Sequence, residues 1–354
     1  MSNHTDTHPE APSNSEREAL RTLVRGIVLA QGNVFIKELL RNKKITIGST
    51  KADFESNLLK AIKSGQLRQA DVEQWLSEVE GWGNQHVYLY HVPASTARDP
   101  LWASSDKVLQ RLRGAGMESL WNAQASLEFP EERKLTGIYF RDKTLQFVWH
   151  QREVAWVRTP ERDREEDWEG DHYQLRAYRE RADRTVMRFE MRLGLRLAAV
   201  FLQIPWNKQK HDEALEEVNK AIRPLLPLLP RNRFKTALAI KGLDEAELNR
   251  SESKLAKVRA QRTRLNDAAA YVEFGTSSEE GVFKDSEAVR HVRRAVRPNR
   301  FDGATGLFFY QPDKKDEKRK VKIELFGPQR RIRLWAQLTS TQVWSVLELV
   351  SKYG

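Results

Sequence analysis

A short polar segment between two helical patterns has residues suited to binding an anion. Ser49 or Thr50 can cap the N-terminus of a helix, where backbone N–H groups and the helix dipole favour negative charge. Lys51 follows directly, and Lys43 and Lys44 come a few residues earlier, so mobile positive charge lies near the same point. A phosphate of a nucleic-acid backbone fits this chemistry. The alternative is an ordinary capped helix beside solvated lysines.

Residues 35–62 have the features of a short helix–linker–helix element and read FIKELLRNKKITIGSTKADFESNLLKAI. A leucine pair, two lysines, a Gly-Ser-Thr-Lys junction and a second apolar pattern follow one another: Leu39, Leu40, Lys43, Lys44, Gly48, Ser49, Thr50, Lys51, Phe54, Leu58 and Leu59. In these features the stretch resembles the SAP module, an element that binds DNA. The resemblance implies contacts to duplex backbone from Lys43, Lys44, Gly48, Ser49, Thr50 and Lys51.

Positive charge is concentrated in the C-terminal third of the chain. The 60 Lys and Arg exceed the 49 Asp and Glu, which gives a formal net charge of +11 and predicts attraction to polyanions. The stretch from Arg290 to Arg333 holds 14 basic and five acidic residues, and the stretch from Arg250 to Arg264 holds six and one. This concentration favours a binding surface. A merely solvated charged surface is the alternative.

Two groups of residues in these basic stretches are candidates for phosphate contacts. A charged helix predicted over residues 243–266 places the first group on successive turns: Arg250, Lys254, Lys257 and Arg264, with Gln261. The second group is Arg293, Arg294, Arg297 and Arg300, with a Lys/Arg-rich tip at 314–320 beyond it. The alternatives are an ordinary amphipathic helix for the first group and charge that protects a sheet edge for the second.

The hydrophobic pattern changes from helical to strand-like near residue 84. Before it, apolar residues recur at three- and four-residue intervals, and after it they alternate with polar ones, as in 187–193. The sequence predicts an α+β protein with a small N-terminal helical domain (17–83). A larger mixed, largely antiparallel β-sheet domain with flanking helices follows (84–354), with a candidate internal boundary near 224–242. Residues 1–16 are expected to form a disordered tail.

Several segments of the larger domain have individual assignments. Apolar and β-branched runs predict strands over 271–274, 307–310, 321–326 and 332–337, and an amphipathic pattern predicts a helix over 339–353. Residues 195–204 are almost wholly apolar and fit either a central strand or a buried helix. Residues 160–171 hold seven acidic and two basic residues, which predicts a solvated loop.

The sequence lacks residues that several kinds of active site require. It has no Cys, which excludes disulfides, cysteine nucleophiles and thiolate metal sites. Glycine-rich phosphate-binding, nucleophile-elbow and zinc-protease motifs are also missing, so we expect no catalytic residue, metal or cofactor. No stretch approaches 18 uncharged apolar residues, and the N-terminus has no hydrophobic signal core. We therefore expect a cytoplasmic protein, nucleoid-associated in a bacterium, with no membrane partner.

The basic stretches predict a non-enzymatic protein that binds nucleic acid, mainly duplex DNA through backbone phosphates with little sequence specificity; RNA is the other ligand considered. The order of its domains is similar to that of centromere protein N, which implies DNA or chromatin binding. Trp149 and Trp156 lie among arginines and are the candidates for base stacking. One alternative is a protein-interaction subunit of a larger defence or mobile-element complex, docking through the C-terminal helix with Trp344. The other is a metal-dependent nuclease. The carboxylate–lysine patterns at 252–254 and 313–315 match the short patterns of such enzymes only trivially, since a chain rich in charged residues contains several by chance.

Overall fold

Helices precede a large antiparallel sheet along the chain, which confirms the predicted α+β class. The computed structural model describes residues 14–30, 32–123, 130–203, 208–226, 232–249, 251, 255–266, 270–276, 283, 286–311, 320–335 and 338–354. They form two compact units. The first unit holds the described residues of Met1–Glu78, Gln124–Lys134 and His150–Thr185, and the second those of Val79–Ala123, Leu135–Trp149 and Val186–Gly354.

Ten α-helices lie in the described residues. They are α1 (Asn14–Ala30), α2 (Asn33–Asn42), α3 (Lys51–Lys63), α4 (Gln69–Val79), α5 (Ala94–Ala97), α6 (Ser105–Gly114), α7 (Lys208–Ile222), α8 (Thr236–Leu248), α9 (Glu287–Val296) and α10 (Ser340–Lys352). In the first unit, α1 to α3 each bury one apolar stripe, which includes Leu23, Leu40 and Phe54. Packing of these stripes, rather than propensity alone, stabilises such short helices.

Twelve strands lie in the described residues. They are β1 (Gln85–His91), β2 (Lys134–Arg141), β3 (Thr144–Arg158), β4 (Arg164–Trp168), β5 (Asp171–Leu175), β6 (Tyr178–Arg192), β7 (Leu197–Gln203), β8 (Leu255–Leu265), β9 (Tyr271–Gly275), β10 (Arg300–Tyr310), β11 (Val321–Phe326) and β12 (Arg331–Leu334). Ten of them form one sheet in the order β2-β3-β6-β7-β1-β12-β11-β10-β8-β9, and β4 pairs with β5 in a separate hairpin.

The two faces of the sheet in the second unit are covered to different extents. On one face, residues of β1, β7, β8, β10, β11 and β12 pack with α8 and α10 in a core that includes Phe308 and Trp344. On the other face, a second core joins β1, β2, β3, β6 and β7 to α6 and α7 and includes Phe189. Within the described chain this second core has no member on β12, β11, β10, β8 or β9. The same face of those five strands is therefore less covered.

The helix predicted over residues 243–266 is wrong. Helix α8 ends at Leu248, and strand β8 begins at Leu255 and pairs with β10. Buried Gln261 and Thr263 alternate with Arg262, which is exposed. The charged residues at helical spacing suggested a helix, but pairing with a strand some forty residues away decided the conformation. The predicted polar stripe therefore does not exist.

Four other segments can be compared with their predicted structures. Residues 195–204 contain the strand β7, whose first six residues are buried. Helix α10 lies within the predicted 339–353, where Thr339 and Gln342 form a reciprocal capping box. The acidic segment 160–171 was expected to be a loop, but it contributes β4 and the first residue of β5. Residues 1–13 of the predicted tail lie outside the described residues, and α1 begins at Asn14.

The first unit also includes residues that were predicted to belong to the larger domain. Residues 150–185 belong to it, although they contain the outer part of β3, the β4–β5 hairpin and the start of β6. The predicted helical segment 17–83 contributes α1 to α4. The chain therefore enters the second unit near residue 79 and passes between the two units several times.

Candidate nucleic-acid interface

Strand β12 has an alternating pattern that gives one side of the sheet a basic surface. Ile332 and Leu334 are buried in the core beneath α8 and α10. Arg331, Arg333 and Trp335 alternate with them and are half-buried. Because successive side chains of a strand point to opposite faces, these three lie on the less covered face.

The arginines of this face stack on aromatic rings. The guanidinium carbon of Arg333 lies 3.4 Å from the centroid of the Trp335 ring, and the Nζ atom of Lys322 lies 4.3 Å from the same centroid. The guanidinium carbon of Arg331 lies 4.3 Å from the centroid of the Phe326 ring. Such stacking leaves the edge of a guanidinium group available for hydrogen bonds while fixing its plane, which suits it to bind phosphate.

The same arrangement recurs at the other edge of the sheet. The guanidinium carbon of Arg262 lies 4.1 Å from the Tyr271 ring centroid, and that of Arg264 lies 4.4 Å from the Phe301 ring centroid. Tyr271 is 47% exposed and Phe301 is 54% exposed. Four Arg–aromatic stacks thus lie on five neighbouring strands. We call this surface the open face and define it by its basic and aromatic members: Arg262, Arg264, Tyr271, Phe301, Lys322, Phe326, Arg331, Arg333 and Trp335.

The strand register shows that the open face is continuous. Arg331 opposes Phe326, Phe326 opposes Thr305, and Thr305 opposes Arg262. These four residues form one row across β12, β11, β10 and β8, which spans about 14 Å at the usual strand spacing. Duplex DNA carries one phosphate per about 3.4 Å on each strand, so the row has the length of several phosphates.

Acidic residues balance only part of this positive charge. Asp302 accepts a hydrogen bond from Arg264 Nη2 at 2.9 Å, and Glu324 accepts one from Trp335 Nε1 at 3.0 Å. Glu273 opposes Arg262 on β9. Five basic residues and three carboxylates therefore occupy this face, and the surplus is positive.

A buried and uncharged cluster lies beside the open face on the same side of the sheet. His86 opposes Arg333 in the register of β1 and β12. Burial lowers the pKa of His86 to about 3, and the positive charge of Arg331 acts in the same direction. The Tyr88 hydroxyl lies 2.8 Å from His211 Nδ1, and burial raises the pKa of Tyr88. His86 and Tyr88 stay neutral at ordinary pH, and the guanidinium carbon of Arg233 lies 4.3 Å from the Tyr88 ring centroid, so positive charge is also present beyond β12.

The predicted anion site at the start of α3 is occupied by one of the chain's own carboxylates. Asp53 accepts hydrogen bonds from the backbone N–H groups of Ser49 at 2.9 Å and Thr50 at 2.8 Å. The Thr50 hydroxyl accepts one from the Asp53 N–H at 3.2 Å, which completes a capping box. These hydrogen bonds lower the pKa of Asp53. A side chain at Gly48 would collide with Asp53. A phosphate at this point would have to displace Asp53.

The lysines near this junction differ in their surroundings. Lys43 Nζ lies 2.5 Å from Asp71 Oδ1, so this charge is already paired. Lys44 is exposed and has a left-handed backbone conformation with φ 54°. Lys51 begins α3 and is half-buried. Of the three lysines predicted to contact phosphate here, Lys44 is the exposed one.

Two of the four arginines predicted between 293 and 300 do not face solvent, which corrects their assignment to a phosphate-binding surface. Arg293 donates to Asp244 at 2.5 Å and to Glu247 at 2.7 Å, and Arg300 donates to the other oxygen of Asp244. The side chains of Arg293, Arg300, Asp244 and Glu247 are at most 5% exposed. A buried arginine that is paired in this way cannot reach a phosphate without breaking the network.

The remaining predicted residues fall in three groups. Arg294 on α9 and Arg297 just after it are exposed. Arg264 lies on the open face, and Lys257 lies on β8. Arg250, Lys254, the tip at 314–319 and the carboxylate–lysine patterns lie outside the described residues.

The predicted tryptophan sites are corrected in part. Trp149 is 1% exposed and belongs to the core beneath α6 and α7, so it cannot stack on a base. Trp156 is 67% exposed. Trp344 packs in the other core with its ring centroid 6.1 Å from that of Phe201, so it is not available for docking a partner.

The open face was not predicted from the sequence, although its signal was present. Residues 331–335 read RIRLW, in which basic and aromatic residues alternate with aliphatic ones. The strand itself was predicted, but its arginines were counted only as part of a charged run. Period-two alternation of cations around buried residues identifies such a face.

Comparisons with known proteins identify no family for this chain. No protein-family model matches it. No curated protein matches it either. In the part of the chain that the structure describes, no helix is long and apolar enough to cross a membrane, and no three His, Asp or Glu side chains are grouped to hold a metal ion.

Proposed function

We propose that the protein binds nucleic acid through the open face, with backbone phosphates as the main contacts. The observation that carries this proposal is the row of arginines stacked on aromatic rings across neighbouring strands. Arginine that is stacked and held in plane is well suited to a phosphate. The overall charge of +11 adds long-range attraction to a polyanion.

Duplex DNA is the ligand that we propose for this face. The row of about 14 Å is comparable with the major groove, which is about 12 Å wide, so it could reach phosphates on both sides of a groove. Arginines that contact backbone read no bases, so binding should have little sequence specificity and a steep salt dependence. Lys44 and Lys51 in the first unit could add further backbone contacts.

The test is a measurement of affinity for a labelled DNA duplex over a salt series. We expect the double variant R331E/R333E to bind at least about tenfold more weakly at low salt. Its plot of log affinity against log salt should be shallower by about two, one for each phosphate that the variant no longer neutralises. Circular dichroism should show that the variant remains folded, since neither side chain belongs to a buried core.

A matched control separates local contacts from overall charge. The variant R111E/R141E makes the same charge change at two exposed arginines that the proposal does not use. It should lose much less affinity than R331E/R333E. Equal losses would refute the open face as the site, and no binding by the wild-type protein at low salt would refute nucleic-acid binding. Cleavage that requires Mg²⁺ would replace the non-enzymatic proposal with that of a nuclease.

A further inference from the structure

The β4–β5 hairpin of the first unit has an exposed apolar face. Trp168 opposes Asp171, and Tyr173 opposes Glu166, in the register of the two strands. Alternation therefore places Trp168, Tyr173 and Leu175 on one side, where the Trp168 and Tyr173 ring centroids lie 6.1 Å apart. The opposite side is polar and includes His172, whose Nδ1 lies 2.6 Å from Asp167 Oδ1.

This apolar face is uncovered. Trp168 is 66% exposed, Tyr173 is 41% exposed and Leu175 is 36% exposed. All ten residues of the two strands are exposed. An isolated two-stranded hairpin is marginally stable in water, so an aromatic face of this kind is better explained by a partner than by folding.

The charges around the aromatic residues define the partner. Glu166, Asp171 and Arg164 lie on the same side as Trp168, and Arg164 Nη2 lies 3.7 Å from Glu166 Oε2. The surroundings are nevertheless net acidic, because residues 160–171 hold seven acidic and two basic residues. A complementary surface must be basic and must also offer flat groups that can pack against indole and phenol rings. Arginine meets both requirements, because its guanidinium group stacks on aromatic rings.

The open face of the second unit has this composition. It presents Arg262, Arg331, Arg333 and Lys322 among aromatic rings. We infer that the apolar face of the hairpin docks onto the open face of a second copy of this chain. The contact joins two different surfaces, so each copy can offer one of each, and association grows with concentration beyond a dimer.

The inferred contact has a consequence for the proposed function. Hairpin and nucleic acid would compete for the same arginines, so a saturating DNA duplex should disperse the assemblies. This competition rests on the proposed function, whereas the self-association does not. Charge attraction at the contact also predicts weaker association as salt rises.

Sedimentation velocity on the full chain without nucleic acid tests the inference. At low salt the wild-type protein should sediment as species larger than the 41.1 kDa monomer as its concentration rises. The variant W168A/Y173A should remain monomeric at the same concentrations and should bind DNA at least as tightly as the wild type, because it no longer competes for the open face. The control W156A removes an equally exposed tryptophan of the same unit and should associate like the wild type. A wild type that stays monomeric throughout, or equal effects of the two variants, would overturn the inference.

A mixing experiment tests which surfaces meet. R331E/R333E lacks the docking surface and W168A/Y173A lacks the hairpin face, so each should be monomeric alone. Their mixture retains one intact junction and should form a dimer that does not grow. Absence of that dimer would contradict the contact. If R331E/R333E stops self-associating but binds DNA like the wild type, the inferred self-association stands and the proposed function fails. If it binds DNA weakly but self-associates like the wild type, the proposed function stands and the inferred self-association fails.

Discussion

Two pairs of arginines in the second unit look alike in the sequence and differ in the structure. Arg293 and Arg300 are buried in ion pairs with Asp244 and Glu247. Arg331 and Arg333 are half-buried on the open face and stack on aromatic rings. The first pair stabilises the fold through buried ion pairs, and the second pair lies at the surface beside other cations.

The difference lies in where the acidic partners come from. Asp244 and Glu247 are on α8, some fifty residues before Arg293, and the fold brings them together. The same principle applies at the start of α3, where Asp53 takes the backbone groups that were expected to bind phosphate. Counting Lys and Arg in the sequence gives the number of cations. Binding of an anion depends on which of those cations are not already paired with acidic residues in the fold.

The strongest test of this comparison replaces one arginine from each pair. R293M leaves Glu247 buried without a cation and removes one of the two arginine partners of Asp244, which should lower the free energy of unfolding by about 3–5 kcal/mol. R331M should lower it by less than about 1 kcal/mol, because that residue is near the surface. Urea denaturation of both variants measures the difference.

A second variant keeps this test informative if R293M does not fold. Combining R293M with E247M removes the orphaned carboxylate of Glu247 and should recover part of the stability. Similar losses from R293M and R331M would break the distinction between the two pairs.

Much of the fold could be predicted from the sequence because it depends on local periodicity. Strand β11 was predicted with its observed bounds, and α10 was predicted within a residue at each end. The segment containing β8 could not be assigned in this way. Its charges recur at helical spacing, and only pairing with β10 makes it a strand.

The candidate site was less predictable than the fold. Alternation in RIRLW was visible, but the neighbours of those residues come from other strands: Lys322 reaches Trp335 across the β11–β12 pairing. Pairing of Arg293 with Asp244 likewise depends on how α8 packs, which no local pattern specifies.

Removing the capping box at the start of α3 should lower the stability of the protein by less than R293M does. T50A removes the hydroxyl that accepts a hydrogen bond from the Asp53 N–H, which should cost about 1 kcal/mol of stability. DNA affinity should not change, because this helix start serves the fold. T96A, at the end of the short helix α5, is a control of the same chemical change. A loss of DNA affinity in T50A at temperatures where it is folded would instead favour the phosphate site predicted there.

The lysines of the first unit allow a comparison with the open face. K44E/K51E should weaken DNA binding by no more than about threefold, or about 0.6 kcal/mol, which is typical of exposed charge interactions. That loss is smaller than the roughly tenfold loss expected for R331E/R333E, measured in the same salt series. A loss as large as that of the open-face variant would place a main contact at the α2–α3 junction and restore the interface implied by the SAP resemblance.

The stability of the fold should also depend on pH through His86, which lies beside the open face. Folded His86 keeps a pKa of about 3, whereas in the unfolded chain it has its ordinary value of 6.5. Between these values the unfolded chain binds a proton that the folded chain does not, so stability should fall as pH drops from 6.5 towards 3.

H86Q should flatten the change in melting temperature measured between about pH 7 and pH 5. H291Q, at an exposed histidine, should leave it unchanged. R333Q should flatten it slightly, because the charge of Arg333 contributes to the low pKa of His86; an unaltered profile in H86Q would mean that the histidine is not held neutral by the fold.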